Sequence, residues 1–163
     1  MNKKLNTQKR KVLSFALFLF ISNGCANSMT QTPPLGCNMQ LVTASANALN
    51  IEFTLTNNTD KTLKVLPWGT AWEGWFNRFL DVSLNKEKVE YQGPMMKRGS
   101  PNVADFKILA TKASWKATLN LRDVYAINSG DLTLQYKGAV TYVENDINAP
   151  QLAFLDCALN IQI

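Results

Sequence analysis

The amino-acid sequence predicts an all-β protein, built as a single immunoglobulin-like antiparallel β-sandwich of about seven or eight strands in residues 37–163. Three observations lead to this prediction. Apolar and polar side chains alternate in several short segments. Clusters of turn-forming residues separate those segments, and no segment carries an apolar stripe of helical period over a useful length. The 163 residues are enough for one domain with a sizeable hydrophobic core.

The first two strands follow directly from the alternation. Residues 49–55 alternate between apolar and polar side chains, which is typical of a strand buried on one face. The turn-forming residues 57–60 end this strand. Leu63 and Val65 then predict the strand that returns beside it, before Pro67.

A hairpin and a further strand come next. Residues 79–84 and 88–92 flank Asn85-Lys86-Glu87 and predict two strands joined by a tight turn. Residues 115–121 again alternate between apolar and polar side chains. This pattern predicts another strand that is buried on one face.

The C-terminal part of the chain predicts two longer strands. The first follows Gly130 and runs from Leu132 towards Val143, and the second occupies residues 152–163. On the second strand, Cys157 shares one face with the apolar residues that follow it at every second position. Four aromatic residues that fall at the strand period are expected in the core: Phe53, Trp115, Tyr136 and Phe154.

The N-terminus has the layout of a bacterial export signal. Five Lys and Arg residues precede an apolar run in residues 12–21, which is shorter than the roughly 20 residues that span a membrane as a helix. A glycine followed by Cys25 resembles a lipobox, although Ser22 stands where such motifs favour leucine. We therefore predict a signal peptide in residues 1–24, with a lipidated cysteine and a polar, flexible tether in residues 25–36. The alternative is an ordinary cleaved signal peptide that leaves Cys25 as a spare thiol.

The cysteine count fits an exported protein. Three cysteines leave one over in any disulfide pairing. If Cys25 carries lipid, Cys37 and Cys157 remain to form a disulfide in an oxidising compartment; the alternative is two unpaired buried thiols. Ala26 is not the aspartate that commonly retains lipoproteins at the inner membrane. We therefore expect a lipid anchor in the outer membrane of the bacterial cell envelope, with the protein facing the periplasm.

Composition excludes several functional classes. The net charge is +5, and the five bases ahead of position 25 account for all of it. The remainder is formally neutral, so nucleic acid is not an expected partner. The chain also contains no histidine, which excludes histidine-dependent triads, histidine zinc ligands and HExxH peptidase motifs. We expect no enzymatic activity, no cofactor and no metal site.

Two segments depart from strand alternation and carry a resemblance to a known family. Residues 66–76 (LPWGTAWEGWF) contain three tryptophans, and residues 91–101 (YQGPMMKRGSP) contain two adjacent bases between prolines. With the pair Asp105-Phe106, they resemble the pro-domain of deuterolysin-type (aspzincin) zinc endopeptidases. That pro-domain has a W-x-T-P-x-E-G-like loop, then Y-x-G-P-x-x-K-R-x-x-P, then an aspartate and an aromatic residue. Ala71 and Asn120 depart from the family pattern, which favours proline and aspartate there.

The resemblance implies a free-standing relative of the pro-domain, without the peptidase domain. Such a pro-domain covers the peptidase cleft and assists folding until it is removed. The implied function is that of a non-catalytic lipoprotein that binds a protein partner, a secreted zinc peptidase, and either inhibits it or assists its folding. The expected partner-binding residues are Trp68, Trp72, Glu73, Trp75, Lys97 and Arg98.

Each of these features also has a structural alternative. The tryptophans can plug one open end of the sandwich. Lys97 and Arg98 can form a solvated loop or a relic of dibasic processing, and Glu73 or Asp105 can pair with either base and pin that loop. The alternative function is a structural or adhesive module of the cell envelope with no link to a peptidase.

Overall fold

The computed structural model describes residues 32–144 and 149–163. This part of the chain contains nine β-strands, two 3-10 turns and no α-helix. The strands are β1 (Leu35–Ala44), β2 (Leu49–Asn57), β3 (Leu63–Val65), β4 (Leu80–Leu84), β5 (Glu87–Lys88), β6 (Lys107–Leu109), β7 (Ser114–Asn120), β8 (Asp131–Val143) and β9 (Gln151–Gln162). The 3-10 turns are Val103–Asp105 and Leu121–Asp123. The predicted signal peptide and Cys25 lie outside the described residues.

The strands form two antiparallel sheets that pack face to face. One sheet has the order β1-β2-β7, and the other has the order β5-β4-β8-β3-β6. Strand β8 is long enough to pair with β4 near its start and with β3 near its end, while β9 pairs along its other side. The predicted all-β antiparallel sandwich is confirmed, with nine strands instead of seven or eight.

The sequence pattern does not reveal β1 and β6. Only Leu35 and Met39 are buried among the ten residues of β1, and a shift of register between Leu41 and Thr43 interrupts its pairing with β2. Strand β6 has three residues, of which only Leu109 is buried. Strands with so few buried positions produce no clear alternation.

The expectation that residues 63–65 return beside the preceding strand is wrong. Strand β3 pairs with β6 and β8 in the other sheet. Asn57 is fully buried at the end of β2, just before the chain passes to the other sheet. Its amide nitrogen contacts the carbonyl oxygens of Lys61 at 2.7 Å, Leu109 at 3.2 Å and Ala110 at 3.0 Å. A buried amide must be satisfied, and these contacts tie the turn after β2 to the end of β6.

The predicted hairpin is present as β4 and β5, although β5 is shorter than expected. Asn85 and Lys86 form its turn with φ of 52° and 71°, and positive φ at both central residues is what two-residue hairpin loops of type I′ require. The side-chain oxygen of Asn85 also accepts a hydrogen bond from the Asp131 amide at 2.9 Å. The turn is thereby connected to the start of β8.

Successive side chains on a strand point to opposite faces, and this alternation decides which of the four predicted aromatic residues reach the core. Phe53 and Tyr136 are buried and Trp115 is partly buried. Phe154 is 76% exposed, so its placement in the core is wrong. On β9 the inward positions are the odd ones, beginning with the buried Ala153 and Leu155, and a residue with even parity faces the other way.

Cys37 and Cys157 form the predicted disulfide, with their Cα atoms 5.9 Å apart. The bond joins β1, an edge strand of one sheet, to β9, an edge strand of the other. The two cysteines are 120 positions apart. In the chain-entropy model, closing a loop of this length stabilises the fold by roughly 4 to 5 kcal/mol.

The first strand of the sandwich begins ahead of Cys37. Leu35 is fully buried, although it lies within the segment expected to be a tether. Asn58 fixes the two prolines that precede it: its side-chain amide donates to the Pro33 oxygen at 2.9 Å, and its backbone amide donates to the Pro34 oxygen at 2.9 Å. The chain therefore enters the sandwich at Pro33 and Pro34.

Candidate functional site

The first segment that carries the resemblance is an arch, residues 66–76, between β3 and β4. It opens with a β-turn in which the Thr70 amide donates to the Pro67 oxygen at 3.2 Å. Gly69 occupies the third position of the turn with φ of 68°, a conformation typical of glycine in type II turns. The Glu73 carboxylate accepts a hydrogen bond from the Gly69 amide at 2.7 Å. The Glu73 side chain thus stabilises the turn at the start of the arch.

The second segment includes a strap, residues 94–101, which has no regular secondary structure and is tied to the arch. Arg98 forms a salt bridge with Glu73, whose side chain is only 7% exposed. The guanidinium carbon of Arg98 also lies 5.1 Å from the ring centre of Trp68. We call Trp68, Glu73 and Arg98 the clamp. Because a planar guanidinium both pairs with a carboxylate and stacks on an aromatic face, one side chain engages both partners.

Trp75 belongs to the core more than to the surface. Its ring stacks on Phe79 with centres 5.0 Å apart and meets Tyr125 edge-on at 5.9 Å. Its indole nitrogen donates to the Asn120 oxygen at 3.1 Å. We call Trp75, Phe79, Tyr91 and Tyr125 the aromatic cluster. The alternative expectation, in which tryptophans plug the sandwich, describes the environment of Trp75.

Tyr91 connects the aromatic cluster with the base of the strap. Its hydroxyl lies 3.2 Å from the Trp75 oxygen and 3.0 Å from the Pro94 oxygen. A Cβ atom on Gly93 would lie 2.4 Å from the Tyr91 hydroxyl, so only glycine fits beneath this ring. Burial raises the pKa of the Tyr91 phenol above its usual value. The glycine and the tyrosine of this segment therefore act as one structural unit.

Trp72 is intermediate between Trp68, which lies in the clamp at the surface, and Trp75, which packs in the aromatic cluster. It is partly buried and packs against the hydrophobic core. Its indole nitrogen is buried and has no hydrogen-bond partner among the described residues. The side chain therefore contributes apolar packing and no polar contact that the described structure records.

The outer side of the strap is apolar and basic. Met95 is 66% exposed, and Met96, Lys97 and Phe76 are also exposed. The Met96 amide donates to the Phe76 oxygen at 2.8 Å, which fixes the strap at a second point. Lys97 lies between the two fixed positions, is exposed, and is not the base that pairs with Glu73. This surface can contact a partner through two methionines, a phenylalanine and one cation.

Of the predicted site residues, the structure brings Trp68, Glu73 and Arg98 together and places Trp75 apart from them. Lys97 and Trp72 belong to neither group. Asp105 does not pair with the strap in the described structure; it caps the 3-10 turn by accepting from the Asn102 amide at 2.8 Å.

From the sequence, Met95 and Met96 are expected to fill the core, but both are exposed. Sequence reasoning missed the contacts of Tyr91 and Asn120 with Trp75, which join residues 16 and 45 positions apart. The Asn120 side chain additionally accepts from the Leu49 amide at 2.9 Å. Such contacts leave no periodic signal in the sequence.

The described residues contain no group of three or more Cys, Asp or Glu side chains that could hold a metal ion. Within the same ranges, no helix is long and apolar enough to cross a membrane. The arch and strap present aromatic, thioether and cationic side chains.

Comparison with known proteins links the chain to an extracellular protease. No protein-family model matches the chain. The chain is 24% identical over 103 residues to a protein from Aeromonas hydrophila described as an extracellular protease. The match covers 63% of this chain and 30% of that protease. The matched region thus spans less than a third of the length of that protease.

Proposed function

We propose that this protein is a non-catalytic lipoprotein of the bacterial envelope that binds a secreted zinc peptidase and inhibits it or assists its folding. The observation that carries the proposal is the attachment of the strap to the arch by the clamp. The two segments that resemble the peptidase pro-domain are in direct contact, and together they hold an exposed loop in one position. Holding a loop in its bound shape before binding lowers the entropic cost of association.

The similarity to an extracellular protease supports a partner of the peptidase class. The strap contributes Lys97 and Met95 as exposed side chains. An acidic peptidase cleft attracts a cation, and a thioether adapts to an apolar pocket. The absence of histidine from the chain fits a role without catalysis.

The test separates binding from both of its consequences. A purified bacterial deuterolysin-type peptidase is mixed with the protein, and binding is measured by calorimetry or surface plasmon resonance. Inhibition is measured by adding the protein to active peptidase. Folding assistance is measured by adding it to denatured peptidase and recording the recovered activity.

Matched variants locate the surface. We expect Met95→Ser with Lys97→Glu to weaken binding at least about tenfold, a loss of roughly 1.4 kcal/mol. The control, Lys86→Glu with Val42→Ser, changes the same kinds of exposed side chain elsewhere on the sandwich. If both variants lost the same affinity for the peptidase, the strap would not be the binding surface. If the peptidase neither binds nor responds, and a pull-down from the native envelope captures no peptidase, a structural envelope module becomes the better explanation.

A further inference from the structure

A second exposed surface lies on the outer face of the larger sheet. Ile108 on β6 is 67% exposed, and on β9 Leu152 is 58% and Phe154 is 76% exposed. These are three of the large apolar side chains that the described part of the chain leaves open to solvent. Neither the arch nor the strap includes any of them.

The strand register places all three side chains on one face. Phe154 pairs with Ala139 and Leu152 with Thr141 on β8, and both β8 residues have the outward parity of that strand. Leu152 and Phe154 are therefore about 7 Å apart along β9.

Ile108 reaches the same face from the other side of the sheet. It pairs with Lys64, which in turn pairs with Val143. Val143 has the parity of the two β8 residues that oppose Leu152 and Phe154, but it is fully buried. Ile108 therefore lies on the same face as Leu152 and Phe154 without forming a continuous patch with them. Ile108 lies three strand spacings from β9, a distance of about 14 Å. We call Ile108, Leu152 and Phe154 the outer apolar face.

One basic residue lies beside Ile108 on this face. Lys64 is its cross-strand partner, whereas Lys107, the residue before it on β6, has the opposite parity. Among the described residues, Lys64 forms no salt bridge. Exposed apolar side chains beside lysines are the combination by which proteins lie on anionic phospholipid surfaces, because the lysines attract headgroups while the apolar groups leave water.

The chain enters the domain near the start of β9. Thr32, Pro33 and Pro34 surround one depression together with Gln151, the residue before Leu152. Cys25 precedes Thr32 by seven residues, a length that spans at most about 25 Å when fully extended. A lipid on Cys25 would hold the start of β9 within that reach of the bilayer.

We propose that the outer apolar face rests on the phospholipid surface into which Cys25 is inserted. Ile108, Leu152 and Phe154 enter the interfacial layer, and Lys64 contacts headgroup phosphates. This rests on the lipid anchor of the proposed function and is independent of its peptidase partner. The contact gives the anchored domain one orientation on the membrane, which a tether alone does not provide.

The test uses site-specific photocrosslinking of the full chain in its own bacterium. Phe154 is replaced by benzoyl-phenylalanine, the cells are irradiated, and the purified protein is analysed by intact mass. The control carries the same residue in place of Val42, which is 54% exposed on β1 in the other sheet. The same mass measurement reports whether Cys25 is acylated.

We expect a phospholipid adduct with the probe at position 154, none at position 42, and loss of the adduct when Cys25→Ser removes the anchor. A crosslink from position 154 to a second copy of the chain, or to another protein, would overturn the proposal. An acylated protein without a lipid adduct would overturn it while leaving the anchor intact. An unacylated protein without an adduct would overturn both the face and the anchor. None of these results bears on peptidase binding by the strap, which the soluble assay measures separately.

Discussion

The aromatic cluster and the clamp are built from the same two segments of the chain, yet different forces hold them. The cluster joins Trp75 to Tyr91 and Tyr125 through ring contacts in the hydrophobic core. The clamp joins Arg98 to Glu73 and Trp68 at the surface, where the Arg98 side chain is 32% exposed. Burial of rings contributes much to stability, whereas a partly solvated ion pair contributes little. The cluster therefore stabilises the fold, whereas the clamp holds the strap in position.

Removal of the central ring of the cluster should have the largest effect. We expect Trp75→Ala to lower the free energy of unfolding by about 3 kcal/mol, at the lower end of the range for buried aromatic residues because Trp75 is only partly buried. The loss includes the contacts with Phe79 and Tyr125 and the hydrogen bond to Asn120. Urea denaturation followed by circular dichroism measures it. A loss below about 1 kcal/mol would contradict the assignment of stability to the cluster.

Alkaline pH should have the next largest effect on stability, because it ionises buried tyrosines in and beside the aromatic cluster. Burial raises the pKa of Tyr125 strongly and that of Tyr136 to about 12. Since the folded state favours the neutral phenol, the stabilisation is complete below the unfolded pKa of about 10 and is lost as the pH rises towards the folded value. We expect the free energy of unfolding to fall by about 1 kcal/mol for each of these tyrosines between pH 10 and pH 11. Urea titrations of the wild type and of Tyr136→Phe measure the slope, which should be smaller in the variant. If the wild type and Tyr136→Phe lost stability equally steeply with pH, ionisation of Tyr136 would not contribute to the loss.

Loss of the clamp should cost less stability but release the strap. We expect Arg98→Ala to lower the free energy of unfolding by about 1 kcal/mol, because it leaves the mostly buried Glu73 carboxylate without its cation. Hydrogen exchange at the Met96 backbone amide, which donates to the Phe76 oxygen, should accelerate. Arg98→Lys should restore only part of the protection, since an ammonium group cannot pair and stack in the same way.

The control for the clamp is the neighbouring base. Lys97→Ala should change the free energy of unfolding by less than about 0.5 kcal/mol and leave the exchange of the strap unchanged. If both variants released the strap equally, the clamp would not be what positions it. The exchange measurement distinguishes this from a general loss of stability, because the amides of β2 and β8 serve as an internal reference.

How far the sequence predicts these regions depends on the kind of contact. Strands β2 and β8 are predictable because burial on one face produces period-two alternation. Phe154 shows that hydrophobicity without parity misleads, since the apolar residues of its own strand already fix the inward positions. The pairing of Glu73 with a strap base is foreseeable as one of several options. The choice of Arg98 over Lys97 depends on the path of the strap, which no local pattern encodes.

The two inner tryptophans of the arch offer the smallest and sharpest test of the comparison. Trp75→Phe removes an indole nitrogen that donates to Asn120, and we expect a loss of about 1 kcal/mol. Trp72→Phe removes an indole nitrogen that is buried and has no partner in the described structure. Removing an unsatisfied donor offsets part of the lost packing, so we expect a change within about 0.5 kcal/mol of zero. Urea denaturation of both variants under one condition measures the difference. If Trp72→Phe cost as much as Trp75→Phe, the Trp72 nitrogen would have an acceptor, and the cluster would extend outwards to the surface that the strap presents.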